Sequence, residues 1–112
     1  GRVRLASAGH LPPVLSVDGK VEFVEHSAPL LGVRARRPED LEFVLPVGAT
    51  LVLYTDGLIE RRDATIDEGL SALAGAATQV DDDLDRFCER LLVELAPNEI
   101  NDDVAVVALR RR

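Results

Sequence analysis

The feature that most constrains the fold is the order in which hydrophobic patterns follow one another along the 112-residue chain. Apolar and polar residues alternate over much of residues 2–55, as in half-buried strands. From residue 65 to 95 the apolar residues recur at helical spacing, and a last strand pattern covers 104–109. Strands grouped around two helices predict one α+β domain, with an antiparallel sheet of about five strands and two antiparallel helices packed on one face.

Five strands are predicted before residue 56, with turn residues between them. They cover residues 2–5, 14–17, 21–24, 41–45 and 50–55. Asp18-Gly19, between the second and the third, is the strongest short-range signal for a β-hairpin. Residues 26–40 contain Pro29 and Pro38 and are predicted to form a loop. The fifth strand is apolar nearly throughout, which is typical of a strand covered on both faces.

Two helices are predicted after residue 64. Residues 65–68 match a capping box, in which the Thr65 hydroxyl and the Glu68 carboxylate bind the first free amides. The predicted apolar face of this helix consists of Ile66, Leu70, Leu73, Ala74 and Ala77. The second helix should begin after three aspartates at 81–83 and end before Pro97. Its apolar stripe consists of Leu84, Phe87, Cys88, Leu91, Leu92 and Leu95.

Composition excludes several classes of function. The net charge of −7 argues against a surface that binds nucleic acid. The basic residues at 34–37 are interpreted as part of a solvated loop, and those at 110–112 as a charged terminus. Cys88 is the single cysteine, so no disulfide framework or cysteine zinc site is possible, and it is predicted to be a small core residue. No apolar run reaches the roughly 18 residues of a membrane helix, and no signal peptide is visible, which favours the cytoplasm.

Acidic side chains follow one predicted strand and precede another. Asp56 and Gly57 come directly after strand 50–55, and Asp102 and Asp103 stand immediately before the last strand. Each pair taken alone is a common turn sequence. If the ends of the two strands are neighbours, however, the carboxylates converge, and a hard cation such as Mg²⁺ or Mn²⁺ would relieve their repulsion. Spacing alone leaves both interpretations open.

Three stretches of the sequence resemble signature stretches of a known family. They are Ala8-Gly9-His10-Leu11-Pro12-Pro13, Leu53-Tyr54-Thr55-Asp56-Gly57-Leu58-Ile59-Glu60 and Asn101-Asp102-Asp103-Val104-Ala105. In this order they closely resemble the second half of bacterial metal-dependent serine/threonine phosphatases of the stage II sporulation protein E type, within the PPM or protein phosphatase 2C-like superfamily. The resemblance covers essentially the whole chain, and residues 54–58 are its most specific part.

The resemblance implies a fold and a set of metal ligands. The fold would be the C-terminal portion of an α-β-β-α sandwich. Asp56 and Asp102 would bind Mn²⁺ or Mg²⁺ in a two-metal site, with Asp103 and Gly57 as neighbours. His10 and Glu60 also match family positions, but the resemblance assigns them no secure role. They are interpreted here as a turn histidine and a glutamate at a helix start.

The resemblance also implies an activity. The parent protein would hydrolyse phosphoserine or phosphothreonine on a regulatory protein, such as an anti-anti-sigma factor in a partner-switching pathway, under the control of upstream sensor domains. The family's N-terminal half supplies a further metal-binding aspartate that this sequence lacks. We therefore expect residues 1–112 to be the C-terminal part of one phosphatase domain, inactive alone. The alternative is a degenerate phosphatase-like module that binds or regulates without catalysis.

Overall fold

The computed structural model describes residues 2–5, 11–24, 41–60, 64–95 and 104–112. The elements in chain order are β1 (Arg2–Leu5), β2 (Val14–Val17), β3 (Lys20–Phe23), β4 (Leu41–Val44), β5 (Thr50–Tyr54), a 3₁₀ turn (Asp56–Leu58), α1 (Ile66–Ala76), α2 (Leu84–Leu95) and β6 (Val106–Arg110). The predicted loop over residues 26–40 lies outside the described residues. Within the described part of the chain, no helix is long and apolar enough to cross a membrane.

The strands form two antiparallel sheets, so the prediction of one sheet with about five strands was wrong. Four strands are ordered β3-β2-β5-β6, and β1 pairs with β4 in a separate sheet. Val3 and Phe43 of the smaller sheet pack against a buried cluster that includes Leu15 and Leu51, on one face of the larger sheet. The smaller sheet is therefore stacked on the larger one, with Val3 and Phe43 half-buried between them.

The hairpin between β2 and β3 follows the sequence prediction. Val17 pairs with Lys20, which leaves Asp18 and Gly19 as a two-residue loop. Both loop residues have positive φ, 48° for Asp18 and 80° for Gly19. A type I′ turn requires this backbone at both positions, and its twist matches that of the flanking strands.

Both helices pack on one face of the four-stranded sheet, as predicted, and the smaller sheet lies on the opposite face. Val14 and Val52 of the sheet form one core with Leu73 of α1 and with Phe87 and Leu91 of α2. The predicted stripe of α2 is confirmed, since all six of its residues are buried or half-buried. The helices and antiparallel sheets together establish the expected α+β fold.

The buried face of α1 differs from the prediction at its first turn. Ile66 is 41% exposed and Gly69 is buried in its place, whereas Leu73 and Ala77 are buried as predicted. The capping threonine is confirmed, because the Thr65 hydroxyl accepts the Glu68 amide hydrogen at 3.1 Å. Local sequence thus placed the start of α1 correctly, whereas its rotation depends on what it packs against.

The basic C-terminal cluster is more than a solvated terminus. Arg110 donates to the carbonyl oxygen of Asp82 at 2.9 Å, which fastens β6 to the connection between the helices. Arg111 donates to the carbonyl oxygen of Leu45 at 2.8 Å. The strand itself begins at Val106, two residues later than predicted. These contacts fasten the end of β6 that pairs with Thr50, at the opposite end of β5 from Asp56.

Candidate metal-binding site

Asp56 lies on a 3₁₀ turn directly after the central strand β5. The carbonyl oxygen of Asp56 accepts the amide hydrogens of Ile59 at 3.0 Å and Glu60 at 2.9 Å. Leu58 and Ile59 anchor the turn in the core, where their exposed fractions are 0% and 1%. The Asp56 side chain itself is exposed. The Asp56 carboxylate is therefore exposed to solvent on a turn whose backbone is held in place by buried side chains.

Thr55 connects this turn to the first residues before β6. Its amide donates to the carbonyl oxygen of Ala105 at 3.1 Å, and its hydroxyl accepts the Ala105 amide hydrogen at 2.9 Å. The pairing continues the β5–β6 ladder beyond Tyr54 and Val106. Thr55 is also the residue that precedes the 3₁₀ turn, yet its side chain makes no capping bond to that turn. Its hydroxyl is used across the sheet instead.

Tyr54 connects the same strand end to residues 11–13. The Tyr54 hydroxyl donates to the carbonyl oxygen of Pro12 at 2.6 Å. Burial, with the negative charge of Asp56 as a second cause, raises the pKa of Tyr54 to about 12. The phenol therefore keeps its proton at neutral pH and remains a hydrogen-bond donor. The first and second motifs are thus joined at a residue adjacent to Thr55.

Gly69 of α1 lies against the turn and was not identified as important from the sequence. A Cβ atom at Gly69 would lie 2.2 Å from the carbonyl oxygen of Ile59, much closer than any real contact. Only glycine therefore allows α1 to approach the turn this closely. The available signal was a glycine inside a helical pattern, which costs about 1 kcal/mol relative to alanine and usually has a packing reason.

The predicted site residues fall into two groups. Asp56, Gly57 and Glu60 belong to the described chain, whereas His10, Asp102 and Asp103 lie outside it. Glu60 is exposed and follows the 3₁₀ turn, six residues before α1, so its interpretation as a helix-start glutamate was wrong. Gly57 does not use a positive φ, because the chain continues as a 3₁₀ turn.

The donor chemistry of Asp56 fits a hard divalent cation. Mg²⁺ and Mn²⁺ prefer carboxylate oxygens, and Mg²⁺ keeps several waters and takes only one or two carboxylates from the protein. Among the residues that the structure describes, no group of three or more histidine, cysteine, aspartate or glutamate side chains could hold a metal ion. Asp56 is therefore compatible with such a site as one ligand of it.

Cys88 was predicted to be a small core residue, and the structure places it half-buried on the apolar stripe of α2. Burial raises the pKa of its thiol, and the charge of Asp85 adds to this, while a backbone hydrogen bond with Ala108 acts in the opposite direction. A thiol with a raised pKa is a poor nucleophile at neutral pH. Cys88 instead contributes to the contact between α2 and β6.

Solved structures share this architecture. One is the structure of the RsbU and RsbW domains of Rv1364c from Mycobacterium tuberculosis, whose sequence is 33% identical to this chain. Its TM-score is 0.85, and the match covers 100% of this chain and 34% of that chain. For the PP2C phosphatase domain of SpoIIE from Bacillus subtilis, solved with a fragment of its regulatory domain, the identity is 19% and the TM-score 0.71, over 97% of this chain and 34% of that one. The SiaA-PP2C domain of Pseudomonas aeruginosa has a sequence identity of 19% and a TM-score of 0.65. That match covers 99% of this chain and 47% of the SiaA chain.

These comparisons differ in what they establish. The two structures at 19% identity show the fold alone. This chain spans between about a third and a half of the length of the three solved chains. The family model of stage II sporulation protein E, in contrast, matches residues 1–112. The chain therefore belongs to the stage II sporulation protein E (SpoIIE) family.

Proposed function

We propose that residues 1–112 form the C-terminal part of a PPM-type phosphatase domain that removes phosphate from phosphoserine or phosphothreonine on a regulatory protein. Asp56 and Asp102 are the proposed ligands of Mn²⁺ or Mg²⁺, with Asp103 beside them. The single observation that carries the proposal is the position of Asp56. It is an exposed carboxylate on a turn whose other side chains are buried, in a chain that the SpoIIE family model matches throughout.

The chain's own residues would hold and orient the site. Asp56 supplies a carboxylate oxygen at the end of β5, where Leu58 and Ile59 exclude water from beneath the turn. Thr55 and Tyr54 fix the strand end by their hydrogen bonds to Ala105 and Pro12. When bound, a metal pair supplies an activated water and neutralises charge on the phosphoryl oxygens. The bridging ligand for such a pair is expected from the rest of the domain.

The proposed substrate class is a phosphorylated regulator in partner-switching signalling. The support is the family and the structure from Mycobacterium tuberculosis, which contains an RsbU and an RsbW domain of one protein. An anti-anti-sigma factor carrying a phosphoserine is the specific candidate. A sensor domain upstream in the parent chain would control the reaction.

The test is a metal-dependent phosphatase assay on the complete parent domain. With Mn²⁺ and p-nitrophenyl phosphate, and then with a phosphoserine peptide, Asp56→Asn and Asp102→Asn should each lower kcat/KM at least about 100-fold, because each removes a charged ligand. Asp67→Asn is the matched control, since Asp67 is an exposed aspartate in the first turn of α1. It should leave turnover unchanged.

The 112-residue chain is assayed beside the parent domain. We expect no turnover from it, because two carboxylates without the bridging ligand enclose at most one ion. Full activity of the parent Asp56→Asn variant, or turnover that persists in EDTA, would contradict the proposed function. A parent domain that binds phosphoprotein but has no turnover would indicate the non-catalytic alternative.

A further inference from the structure

The hydroxyl of Thr55 makes a contact that its place in the chain does not require. Threonine before a helical turn normally accepts an amide hydrogen from that turn. Here the side chain makes no such bond, and it accepts the amide hydrogen of Ala105 on the neighbouring strand at 2.9 Å. The Thr55 amide donates back to the Ala105 carbonyl oxygen at 3.1 Å. Two residues separated by 50 positions are therefore joined by a reciprocal pair of hydrogen bonds.

In the sequence, this pair is close to both proposed metal ligands. Thr55 immediately precedes Asp56, and Ala105 follows Asp102 by three residues. Three residues span at most about 11 Å, so the position of Ala105 limits where Asp102 can lie relative to Asp56. Without the Thr55 hydroxyl, the hydrogen bond from the Thr55 amide to Ala105 would be the remaining one of this pair. The Thr55 hydroxyl adds a second hydrogen bond between the two segments, next to Asp56 in the sequence.

We propose that Thr55 is a positioning residue for the metal site: its hydroxyl holds the approach to β6 in place beside Asp56. This inference rests on the proposed function, in which Asp56 and Asp102 share the site. Residues that orient metal ligands without touching the metal typically contribute about 10- to 100-fold to metal affinity. Thr55 has this kind of role because it determines the relative position of two chain segments.

The experiment compares Mn²⁺ binding by calorimetry in the complete parent domain and its variants. Thr55→Val keeps the branched shape but removes the acceptor, and it should weaken Mn²⁺ binding at least about 10-fold. Thr55→Ser keeps the hydroxyl and should restore binding to near the wild-type value. Thr78→Val is the matched control, because the Thr78 hydroxyl is exposed and donates only to Gly75 within the end of α1. It should bind Mn²⁺ as the wild type does.

A second measurement, hydrogen exchange, uses the wild-type domain and so does not depend on whether a variant folds. If metal binding and the Thr55–Ala105 contact stabilise each other, saturating Mg²⁺ should slow hydrogen exchange at the Ala105 amide relative to EDTA, because such coupling is reciprocal. Exchange that is unchanged by Mg²⁺ would overturn the inference. So would Thr55→Val binding Mn²⁺ with wild-type affinity.

The failure of this inference differs from failure of the proposed function. If Asp56→Asn abolishes Mn²⁺ binding while Thr55→Val does not affect it, Asp56 is a ligand and Thr55 has no positioning role. If Asp56→Asn binds Mn²⁺ normally, the proposed function itself is wrong. A loss of binding in Thr55→Val that Thr55→Ser does not restore would also contradict the role of the hydroxyl.

Discussion

On the helix side of the four-stranded sheet, Val14, Val52 and Phe87 are fully buried, whereas on the opposite side Val107 and Leu109 of β6 are each 50% exposed. Among the described residues, the buried cluster on the opposite side consists of Leu15, Leu45, Ala49 and Leu51. The smaller sheet packs against that cluster through β1 and β4. The two faces of one sheet therefore contribute unequally to the stability of this chain.

The difference shows which part of the core supports the candidate site. Leu58 and Ile59, from the turn that carries Asp56, belong to the helix-side core. The ring of Tyr54 also belongs to the helix-side core, and its hydroxyl donates to the carbonyl oxygen of Pro12. The exposed carboxylate of Asp56 is therefore built on the better-packed face. Substitutions of buried residues on that face should affect both stability and the turn, whereas substitutions of the half-exposed Val107 and Leu109 on the other face should affect neither strongly.

The largest effect should come from Leu91→Ala. Leu91 of α2 is fully buried in the helix-side core, so its truncation should lower the free energy of unfolding by about 2–5 kcal/mol, through lost burial and the cavity left behind. Leu109→Ala removes the same atoms from the half-exposed position on the other face and should cost no more than about 1 kcal/mol. Urea denaturation of the 112-residue chain measures both, and equal costs would contradict the comparison.

A second pair of variants lies within α1. Gly69→Ala forces a Cβ atom against the Ile59 carbonyl group and should destabilise the chain by about 1–3 kcal/mol, because helix and turn must separate. Gly75→Ala introduces the same group where nothing lies within 4 Å, and should stabilise the helix by roughly 0.5–1 kcal/mol. The two substitutions should thus have opposite signs in thermal denaturation. A stabilising Gly69→Ala would show that α1 does not support the turn.

A smaller effect is expected for Tyr54→Phe. The change removes the hydrogen bond to the Pro12 carbonyl oxygen and keeps the buried ring, so it should cost about 1 kcal/mol. Because Pro12 is then held less firmly, hydrogen exchange at the amide of Leu11 should also accelerate. A variant as stable as the wild type, with unchanged exchange at Leu11, would show that Tyr54 acts through its ring alone.

The sequence predicted the parts of the fold that depend on neighbouring residues. The Asp18-Gly19 hairpin, the Thr65 cap and the stripe of α2 are local patterns, and the structure confirms all three. The division into two sheets depends on which distant strands pair, and alternation within a strand carries no such information. The exposure of Ile66 in the first turn of α1 was missed for a similar reason, because Gly69 rather than Ile66 lies against the turn at Ile59.

The candidate site was predictable to the same extent. The position of Asp56 at the end of a buried strand followed from the apolar run before it, and the structure places it there. The roles of Thr55 and Tyr54 did not follow, since their partners lie 50 and 42 residues away. The convergence of Asp56 and Asp102 stays a prediction.

The most direct test of that convergence is Mn²⁺ anomalous diffraction from crystals of the complete parent domain. A shared metal site predicts an anomalous peak roughly 2.1 Å from a carboxylate oxygen of Asp56 and from one of Asp102, with the two carboxyl groups within about 6 Å. Well-ordered carboxyl groups separated by more than about 10 Å, or a Mn²⁺ peak that touches neither aspartate, would contradict the shared metal site.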